Sequence, residues 1–431
     1  MGSVQETTCD VLVIGGGPAG STTAARLVAD GFDVVLLEKD RHPRFHIGES
    51  LLPMNMPLLE ELGVMDQVAA IGMPKYGIEF VSPWHDHIVE FHFAKAWDKS
   101  NPKAFQVRRS EFDHVLLRNT ATTGARVIEG CRVTDIEFLE SGGALATSRS
   151  DDGEIQQWHA KFVVDATGRD TFLASRFRIK RSNLRHNTAA VFGHFTGAKR
   201  LSGQAEGHIT IFWFDYGWFW FIPLADGTTS IGAVCRPDYV RTRAADATTF
   251  LMNTIALCPA LGERLKEARI IEPATFTGNY SYKADRMTGT DYVMVGDSYA
   301  FIDPVFSTGV YLAMSSAFRA AEAIKTALRF PEQAVTAMGT YEEETERVLR
   351  IFSWYIYRIT RPAFRDLFMS PSNVFRIEEA MMSLLAGDVY RQSPIFSRLL
   401  LFKGLFYAKT MIGNMRGNKK MPPPPPLMAA E

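Results

Sequence analysis

The sequence contains little cysteine, no long apolar run and almost no net charge. Its 431 residues include four cysteines that lie far apart, so they predict neither a zinc site nor a disulfide framework. No run of about 18 apolar residues and no N-terminal signal pattern is present, which argues against a membrane span and favours the cytoplasm. Lys and Arg total 47 against 48 for Asp and Glu, so the basic footprint of a nucleic-acid binder is missing.

The composition is otherwise that of an ordinary folded protein. Hydrophobic residues make up 46% of the chain and aromatic residues 12%, which suits two or three structural units able to enclose a small ligand. Residues 9–14, 18–30 and 33–38 show the spacing of a buried strand, a helix and a second strand. Short aromatic strands are predicted between 187 and 236, and helices from 308 onward.

Gly15, Gly17 and Gly20 form a G-x-G-x-x-G turn between the first predicted strand and helix. The first glycine permits a tight turn, the second lets the backbone approach a pyrophosphate, and the third lets the helix pack on the strand. Glu38 ends the next predicted strand, where its carboxylate can accept hydrogen bonds from ribose hydroxyls. A chance glycine turn is the alternative. This setting favours a single dinucleotide site, because no second fingerprint is present for NAD(P)H.

Further segments favour FAD over a nicotinamide cofactor. Residues 41–50 (RHPRFHIGES) suit a loop along an extended cofactor, and the strand at 291–296 is followed by Asp297, which suits a sugar-alcohol chain. Residues 165–169 (DATGR) close another strand, and 106–113 (QVRRSEFD) begin a helix. Any one of them could be an ordinary strand or helix end. Together they resemble the FAD-binding superfamily that includes para-hydroxybenzoate hydroxylase, geranylgeranyl reductases and flavin-dependent halogenases. The cofactor-binding residues that this resemblance implies are Gly15, Gly17, Ala19, Gly20, Glu38, Lys39, Arg44, Gly48, Glu49, Ser50, Arg108, Arg109, Asp165, Gly168, Gly296 and Asp297.

Three further motifs resemble the flavin-dependent halogenases within that superfamily. Residues 218–223 (WFWFIP) match W-x-W-x-I-P, residues 301–309 (FIDPVFSTG) match F-x-x-P-x-x-S-x-G, and Lys75 begins KYGIEF, the context of the family's active-site lysine. An aromatic strand alone is more often plain core, and a lone lysine normally lies on the surface. The occurrence of all three in family order favours the halogenase interpretation.

The resemblance implies an enzyme that uses FADH2, O2 and chloride or bromide to make hypohalous acid, which Lys75 passes to an aromatic substrate. Lys75 would either form a haloamine or donate a hydrogen bond to the oxidant. The halide would rest against the backbone at Ser307, Thr308 and Gly309. The wall between flavin and substrate would be formed by Trp218, Trp220, Ile222 and Pro223. A separate flavin reductase is expected to supply FADH2.

Phe306 departs from the pattern of tryptophan halogenases, which carry a glutamate directly before the serine of the S-x-G run. Without that carboxylate, an electron-rich phenol or pyrrole is the expected substrate, with Phe306 and Pro304 in its pocket. The substrate is either free or tethered to an acyl or peptidyl carrier protein, and natural-product biosynthesis is the expected setting. The apolar and basic stretch at 397–413 is expected to pack on the domain as a helix, with carrier docking as the alternative. His85 and His87 lack a third partner, so no metal is assigned.

The predicted fold is α/β, a Rossmann-like FAD-binding domain of the para-hydroxybenzoate hydroxylase type with a β-sheet substrate domain and a helical C-terminal region. The expected boundaries are 1–75, 100–170 and 275–330 for the FAD domain, 76–99 and 171–274 for the substrate sheet, 331–415 for the helices and 416–431 for a disordered tail. An aromatic hydroxylase or alkene reductase of the same fold is the rival enzyme. A non-catalytic flavoprotein is the rival of another class.

Overall fold

The computed structural model describes residues 5–183, 186, 188–243, 246–278, 281–371, 373–391 and 393–415, so the predicted tail lies outside the described residues. The strands are β1 Gln5–Ile14, β2 Val34–Glu38, β3 Met73–Lys75, β4 Gly77–Val81, β5 Val89–His92, β6 Ala104–Gln106, β7 Arg126–Glu129, β8 Cys131–Phe138, β9 Ala144–Ser150, β10 Ile155–Asp165, β11 Lys180–Ser182, β12 Ala189–Thr196, β13 Ile209–Phe214, β14 Gly217–Pro223, β15 Thr229–Cys235, β16 Arg269–Ile270, β17 Thr275–Thr277, β18 Tyr282–Ala284, β19 Tyr292–Met294 and β20 Ala300–Phe301. The helices are α1 Pro18–Ala29, α2 Met56–Glu61, α3 Met65–Ile71, α4 Arg109–Thr122, α5 Phe172–Arg176, α6 Pro237–Val240, α7 Ala247–Ala256, α8 Pro259–Arg264, α9 Gly309–Arg329, α10 Ala334–Ile356, α11 Pro362–Met369, α12 Ile377–Ala386 and α13 Ile395–Met415.

The first sheet has seven strands in the order β7-β2-β1-β10-β9-β8, with β19 also beside β10. Strands β7, β2, β1, β10 and β19 run parallel, whereas β10, β9 and β8 form an antiparallel meander. Strand β2 (VVLLE) is buried along its whole length, as expected for a parallel strand covered on both faces. Helices α1 and α9 pack on this sheet and on each other. The register of the parallel strands brings the carboxyl ends of β1, β2, β10 and β19 side by side, next to the glycine turn that follows β1.

The second sheet has eight strands in the order β16-β12-β15-β14-β13-β4-β5, with β17 also beside β12. Side chains alternate across β14: Trp218, Trp220 and Ile222 belong to one apolar cluster, and Phe219 and Phe221 to another on the opposite face. The period of two therefore places both tryptophans of the motif on the same side. That side faces the first sheet's cofactor edge and the C-terminal helices, while α7 and α8 cover the other face.

The C-terminal helices close the molecule over the tryptophan face of the second sheet. Phe364 and Phe368 of α11 and Leu384 of α12 are buried in the same cluster as Trp218 and Trp220. Helix α13 covers the segment predicted at 397–413 and contributes four buried side chains, one of them Phe402, to that cluster. Its opposite face exposes several apolar side chains. Within the described residues, no helix combines the length and apolarity needed to cross a membrane.

The predicted mixed α/β fold is confirmed by this architecture. Strand β17 lies at 275–277, in the stretch expected to belong to the cofactor domain, yet it pairs with β12 in the second sheet. Strands β11, β18 and β20 form a separate three-stranded sheet. The predicted strand at 9–14 extends back to Gln5, because β10 pairs with β1 from Gln156 onward.

Candidate active site

The glycine turn is held by backbone contacts that only glycine permits. Gly15 has a positive φ of 105°, and a Cβ at Gly20 would lie 1.9 Å from the carbonyl oxygen of Gly15. Strand β1 and helix α1 therefore approach closely across the turn. Helix α1 begins after Gly17 with Pro18 at its first position, so its free N–H groups face the space above the strand ends.

A cavity of about 790 Å³ begins at this turn and runs between the two sheets. The predicted residues that line it are Gly15, Gly17, Ala19, Glu38, Lys39, Arg44, Gly48, Glu49, Ser50, Arg109, Gly168, Trp218, Trp220, Ile222, Asp297, Pro304, Ser307 and Gly309. Its size is that of a pocket that encloses a large organic ligand. The predicted residues that lie outside its described lining are Gly20, Lys75, Arg108, Asp165, Pro223, Gly296, Phe306 and Thr308.

Charged groups are distributed along the cavity wall. Glu38 accepts hydrogen bonds from the amides of Gly16 (2.5 Å) and Asp40 (2.9 Å), which fixes its carboxylate at the end of β2. Arg109 lies within the wall and binds Asp113 through two hydrogen bonds of 2.8 and 2.9 Å. Burial raises the pKa of Asp297 to about 6, opposed by two arginines. These donors and acceptors fit the ribose, phosphate and ribityl groups of FAD.

Two predicted cofactor residues have other partners. Arg108 points to the β14–β15 turn, where it binds Asp226 and the Thr228 hydroxyl. Asp165 is buried and accepts hydrogen bonds from Thr167 and from the amide of Leu173. Asp165 therefore fixes the loop after β10, and its neighbour along that loop, Gly168, lines the cavity.

Trp218 and Trp220 of strand β14 lie where the cavity meets the apolar cluster formed with the C-terminal helices. Trp218 and Trp220, whose ring centroids lie 6.1 Å apart, line the cavity and also belong to the cluster. The Trp220 indole donates to the Ser230 hydroxyl at 3.1 Å, and the Trp218 indole hydrogen-bonds the carboxylate of Asp303. These hydrogen bonds fix the two rings at the border of the cavity.

The segment that carries the third motif turns sharply into helix α9. Ser307 adopts a left-handed backbone with φ of 56°, a conformation that costs free energy for a residue other than glycine. Thr308 then caps helix α9, which begins at Gly309. Ser307 and Gly309 line the cavity, so the positive end of the α9 dipole faces it.

Lys75 is fully buried at the edge of the cluster. Its ammonium donates to the Ser50 hydroxyl at 2.9 Å and to the Leu51 carbonyl at 3.0 Å, and it lies 5.3 Å from the Phe93 ring centroid. Burial lowers the pKa of Lys75 to about 7 because an apolar surrounding disfavours the charged form. Ser50 lines the cavity, so its hydrogen bond with Lys75 connects the lysine to the cavity wall.

Phe306 is not among the residues that line the cavity. It is buried in the cluster and stacks on Phe368 of α11 at 6.5 Å between ring centroids. Phe368 also contacts Phe80 and Phe91 of the second sheet. The position that carries a carboxylate in tryptophan halogenases is thus occupied by one ring of an aromatic stack.

Three histidines near the cavity belong to no motif that the sequence analysis identified. His194 lies 2.7 Å from a Glu49 carboxylate oxygen, and His46 contacts the Ile47 carbonyl while lining the cavity. His208 is buried, and its ring nitrogens have no hydrogen-bond partner among the described residues. Burial, together with His92 and Lys75, lowers the pKa of His208 to about 4. Isolated histidines follow no motif spacing, so only the folded chain shows these contacts.

The FAD binding domain family model matches residues 8–351 of the chain. Tryptophan 2-halogenase of Chondromyces crocatus is 35% identical over 339 residues, 77% of this chain and 64% of that relative, so the chain spans less than two thirds of its length. The 1H-pyrrole-2-carbonyl-(peptidyl-carrier protein) chlorinase of Pseudomonas fluorescens is 28% identical over 407 residues, 88% of this chain and 89% of that protein.

Solved structures show the same fold. A flavoprotein/dehydrogenase from Cytophaga hutchinsonii matches with a TM-score of 0.86 and 28% identity, covering 94% of this chain and 99% of that one. The myxobacterial chondrochloren halogenase CndH matches with a TM-score of 0.76 and 30% identity, covering 94% of this chain and 97% of that one.

Proposed function

Because this chain belongs to the flavin-dependent halogenase family, we propose that it makes hypohalous acid from FADH2, O2 and chloride or bromide. We further propose that Lys75 passes the halogen to an electron-rich aromatic ring. The observation that carries the proposal is the place of Lys75, which is fully buried and hydrogen-bonded to Ser50 of the cavity lining.

The cavity residues fit FAD. Glu38, fixed by two amides, suits the ribose hydroxyls, and the glycine turn at the start of α1 suits the pyrophosphate. Asp297 would hold the ribityl chain, and the wall of Trp218 and Trp220 would bound the ring system. When bound in its reduced form, FAD supplies the two electrons that activate O2 toward the halide.

Residues of the chain would bind the halide, separate the substrate from the cofactor and transfer the halogen. The backbone of Ser307 to Gly309 would hold the halide at the start of α9. Trp218 and Trp220 keep the aromatic substrate away from the cofactor. Lys75, held by Ser50 and the Leu51 carbonyl, is the amine that either takes the halogen or hydrogen-bonds the oxidant. Its low pKa favours the neutral, nucleophilic form.

Phe306 favours a phenol or a pyrrole as the substrate. These rings stabilise the positive charge of halogenation through their own oxygen or nitrogen, so they depend less on a nearby carboxylate. The Pseudomonas fluorescens relative is named for a carrier-tethered pyrrole, which supports a carrier protein as a partner. A flavin reductase would supply FADH2, and the product would serve natural-product biosynthesis.

A panel assay tests the proposal. The purified protein is combined with FAD, a flavin reductase, NADH and chloride or bromide, and offered phenols and pyrroles in free and carrier-loaded forms. Mass spectrometry should show a halogen isotope pattern on at least one ring, and omission of halide or reductase should abolish it. The rival is an aromatic hydroxylase or a reductase of the same fold, and the similar Cytophaga hutchinsonii protein is described as a flavoprotein/dehydrogenase. NADPH oxidation stimulated by an aromatic compound without reductase would favour that rival.

A further inference from the structure

Glu49 and His194 form a buried pair at the wall of the FAD cavity. The Glu49 carboxylate lines the cavity, and one of its oxygens lies 2.7 Å from Nε2 of His194. Both side chains are buried, and the second oxygen, Oε2, has no hydrogen-bond partner among the described residues. A buried carboxylate oxygen is costly without a partner, so Oε2 marks a place where the cavity contents are expected to supply one.

His194 also lines a second cavity on its other side. This cavity has a volume of about 60 Å³ and reaches Glu272 and Thr275, which are exposed. Phe45 packs edge-on against the His194 ring at 6.2 Å and closes the remaining wall. The volume exceeds what a single water molecule requires. His194 therefore stands between a water-sized space near the surface and the carboxylate of the FAD cavity.

The proposed reaction requires a proton in the FAD cavity. Its balance is FADH2 + O2 + X⁻ + H⁺ → FAD + HOX + H2O, and the following step, HOX + ArH → ArX + H2O, returns no proton. Each halogenated product therefore consumes one proton, and this proton is taken up where the halide is oxidised. The halide enters as an anion, so the proton has to arrive separately.

We propose that His194 and Glu49 relay this proton from solvent into the FAD cavity. The proposal rests on the halogenase function proposed above. The proton leaves Glu49 from Oε2 into the cavity. Oε1 then takes the proton from Nε2 of His194, and the other ring nitrogen of His194 takes one from water in the small cavity. After this transfer the proton of Glu49 lies on Oε1 and the imidazole is in its other tautomer, so the carboxyl group has to rotate and the imidazole has to change tautomer before the next transfer.

Other charged groups surround the relay. Arg109 and His46 face Glu49 from the cavity wall, and Lys75 approaches through its hydrogen bond to the neighbouring Ser50. Glu272 faces His194 across the small cavity. Because these groups also titrate or carry charge, a pH profile alone would mix several contributions, and the test relies on isotope effects and on variants of the pair.

The variants E49Q and H194Q keep the size of each side chain and remove its ability to pass a proton. Oxidant formation is measured by stopped flow with FADH2, O2 and chloride, using a small halogen acceptor in place of the aromatic substrate. Each variant should slow oxidant formation at least about tenfold at saturating FAD. The double variant should be no slower than either single one, because both residues lie on one path. Added imidazole should restore the rate of oxidant formation in H194A. The solvent isotope effect on that rate in E49Q should differ from that of the parent.

H85Q serves as the matched control. Nε2 of His85 also lies close to a carboxylate, at 3.4 Å from Oδ1 of Asp366, but His85 is not among the residues that line the FAD cavity. H85Q should keep the parent rate and isotope effect. A second readout needs no cofactor: in the protein without FAD, E49Q should shift the nitrogen NMR signal of His194 Nε2, because the group within hydrogen-bond distance of this nitrogen changes from a carboxylate to an amide.

Two results would overturn the relay: parental rates of oxidant formation in E49Q and H194Q, or an unchanged nitrogen NMR signal of His194 Nε2 in E49Q. If the parent itself makes no oxidant, the halogenase proposal fails as well. Normal oxidant formation in both variants would refute the relay alone.

Discussion

The FAD cavity and the space around Lys75 differ in almost every physical respect. The FAD cavity is lined by carboxylates, guanidinium groups and backbone amides, whereas the space around Lys75 and Phe306 is filled by aromatic and aliphatic side chains. Cofactor binding requires many fixed donors and acceptors. A neutral lysine requires the opposite, a surrounding that disfavours charge.

The difference also shows how each half is built. The cofactor side depends on close backbone approaches, such as the contact between Gly15 and Gly20. The lysine side depends on packing between the second sheet and the C-terminal helices, in which Phe368 of α11 bridges Phe306 and Phe80. Substitutions on the cofactor side are therefore expected to leave the lysine side intact, and substitutions on the lysine side to leave the cofactor side intact.

The largest effect is expected from Gly20→Ala. Its Cβ would lie 1.9 Å from the Gly15 carbonyl oxygen, so the turn has to open, with a cost of about 3 kcal/mol and loss of FAD binding. Gly339→Ala is the control, because a Cβ there meets nothing within 4 Å and helix α10 should gain about 0.5–1 kcal/mol. Urea unfolding and FAD titration measure both. Normal FAD affinity in Gly20→Ala would contradict the account of the turn.

The pH dependence of halogen transfer should follow Lys75. Burial places its pKa at about 7, so the neutral fraction increases about tenfold per pH unit below that value and levels off above it. Ring halogenation should show this rise, while oxidant formation should not share it. Both rates are measured between pH 5.5 and 8.5, a window of about 1.5 units on either side of that pKa. A transfer rate that falls with rising pH would instead identify the ammonium form, acting as a hydrogen-bond donor, as the active one.

A smaller effect is expected from Trp220→Phe, which thins the wall and removes the hydrogen bond to Ser230. Oxidant should leak past the strand, lowering the yield of halogenated product per FADH2 by a few fold, on the order of 1 kcal/mol. Trp158→Phe is the matched control, because its indole also donates to a serine, Ser148 at 2.8 Å, but lies in the first sheet. Equal leakage in both variants would show that Trp220 has no special place in the wall.

The sequence could predict the cofactor side better than the lysine side for a physical reason. The glycine turn, Glu38 and the W-x-W-x-I-P strand are contiguous motifs whose geometry follows from local backbone rules. The partners of Lys75 and Glu49 come from long-range folding: Lys75 meets Ser50 across 25 residues, and His194 meets Glu49 across 145. Arg108 and Arg109 are adjacent in sequence, yet only Arg109 is in the described cavity lining, since helix α4 begins between them. No spacing rule distinguishes such neighbours before the helix start is known.

The division of work between the two spaces is tested most directly by Lys75→Ala. Oxidant yield, measured with a small halogen acceptor, and ring halogenation are determined per FADH2 consumed, with Lys95→Ala as an exposed-lysine control. We predict that Lys75→Ala keeps FAD binding and the full oxidant yield but loses ring halogenation by at least about a hundredfold. Ring halogenation at the parent rate, or loss of oxidant formation along with it, would contradict the account.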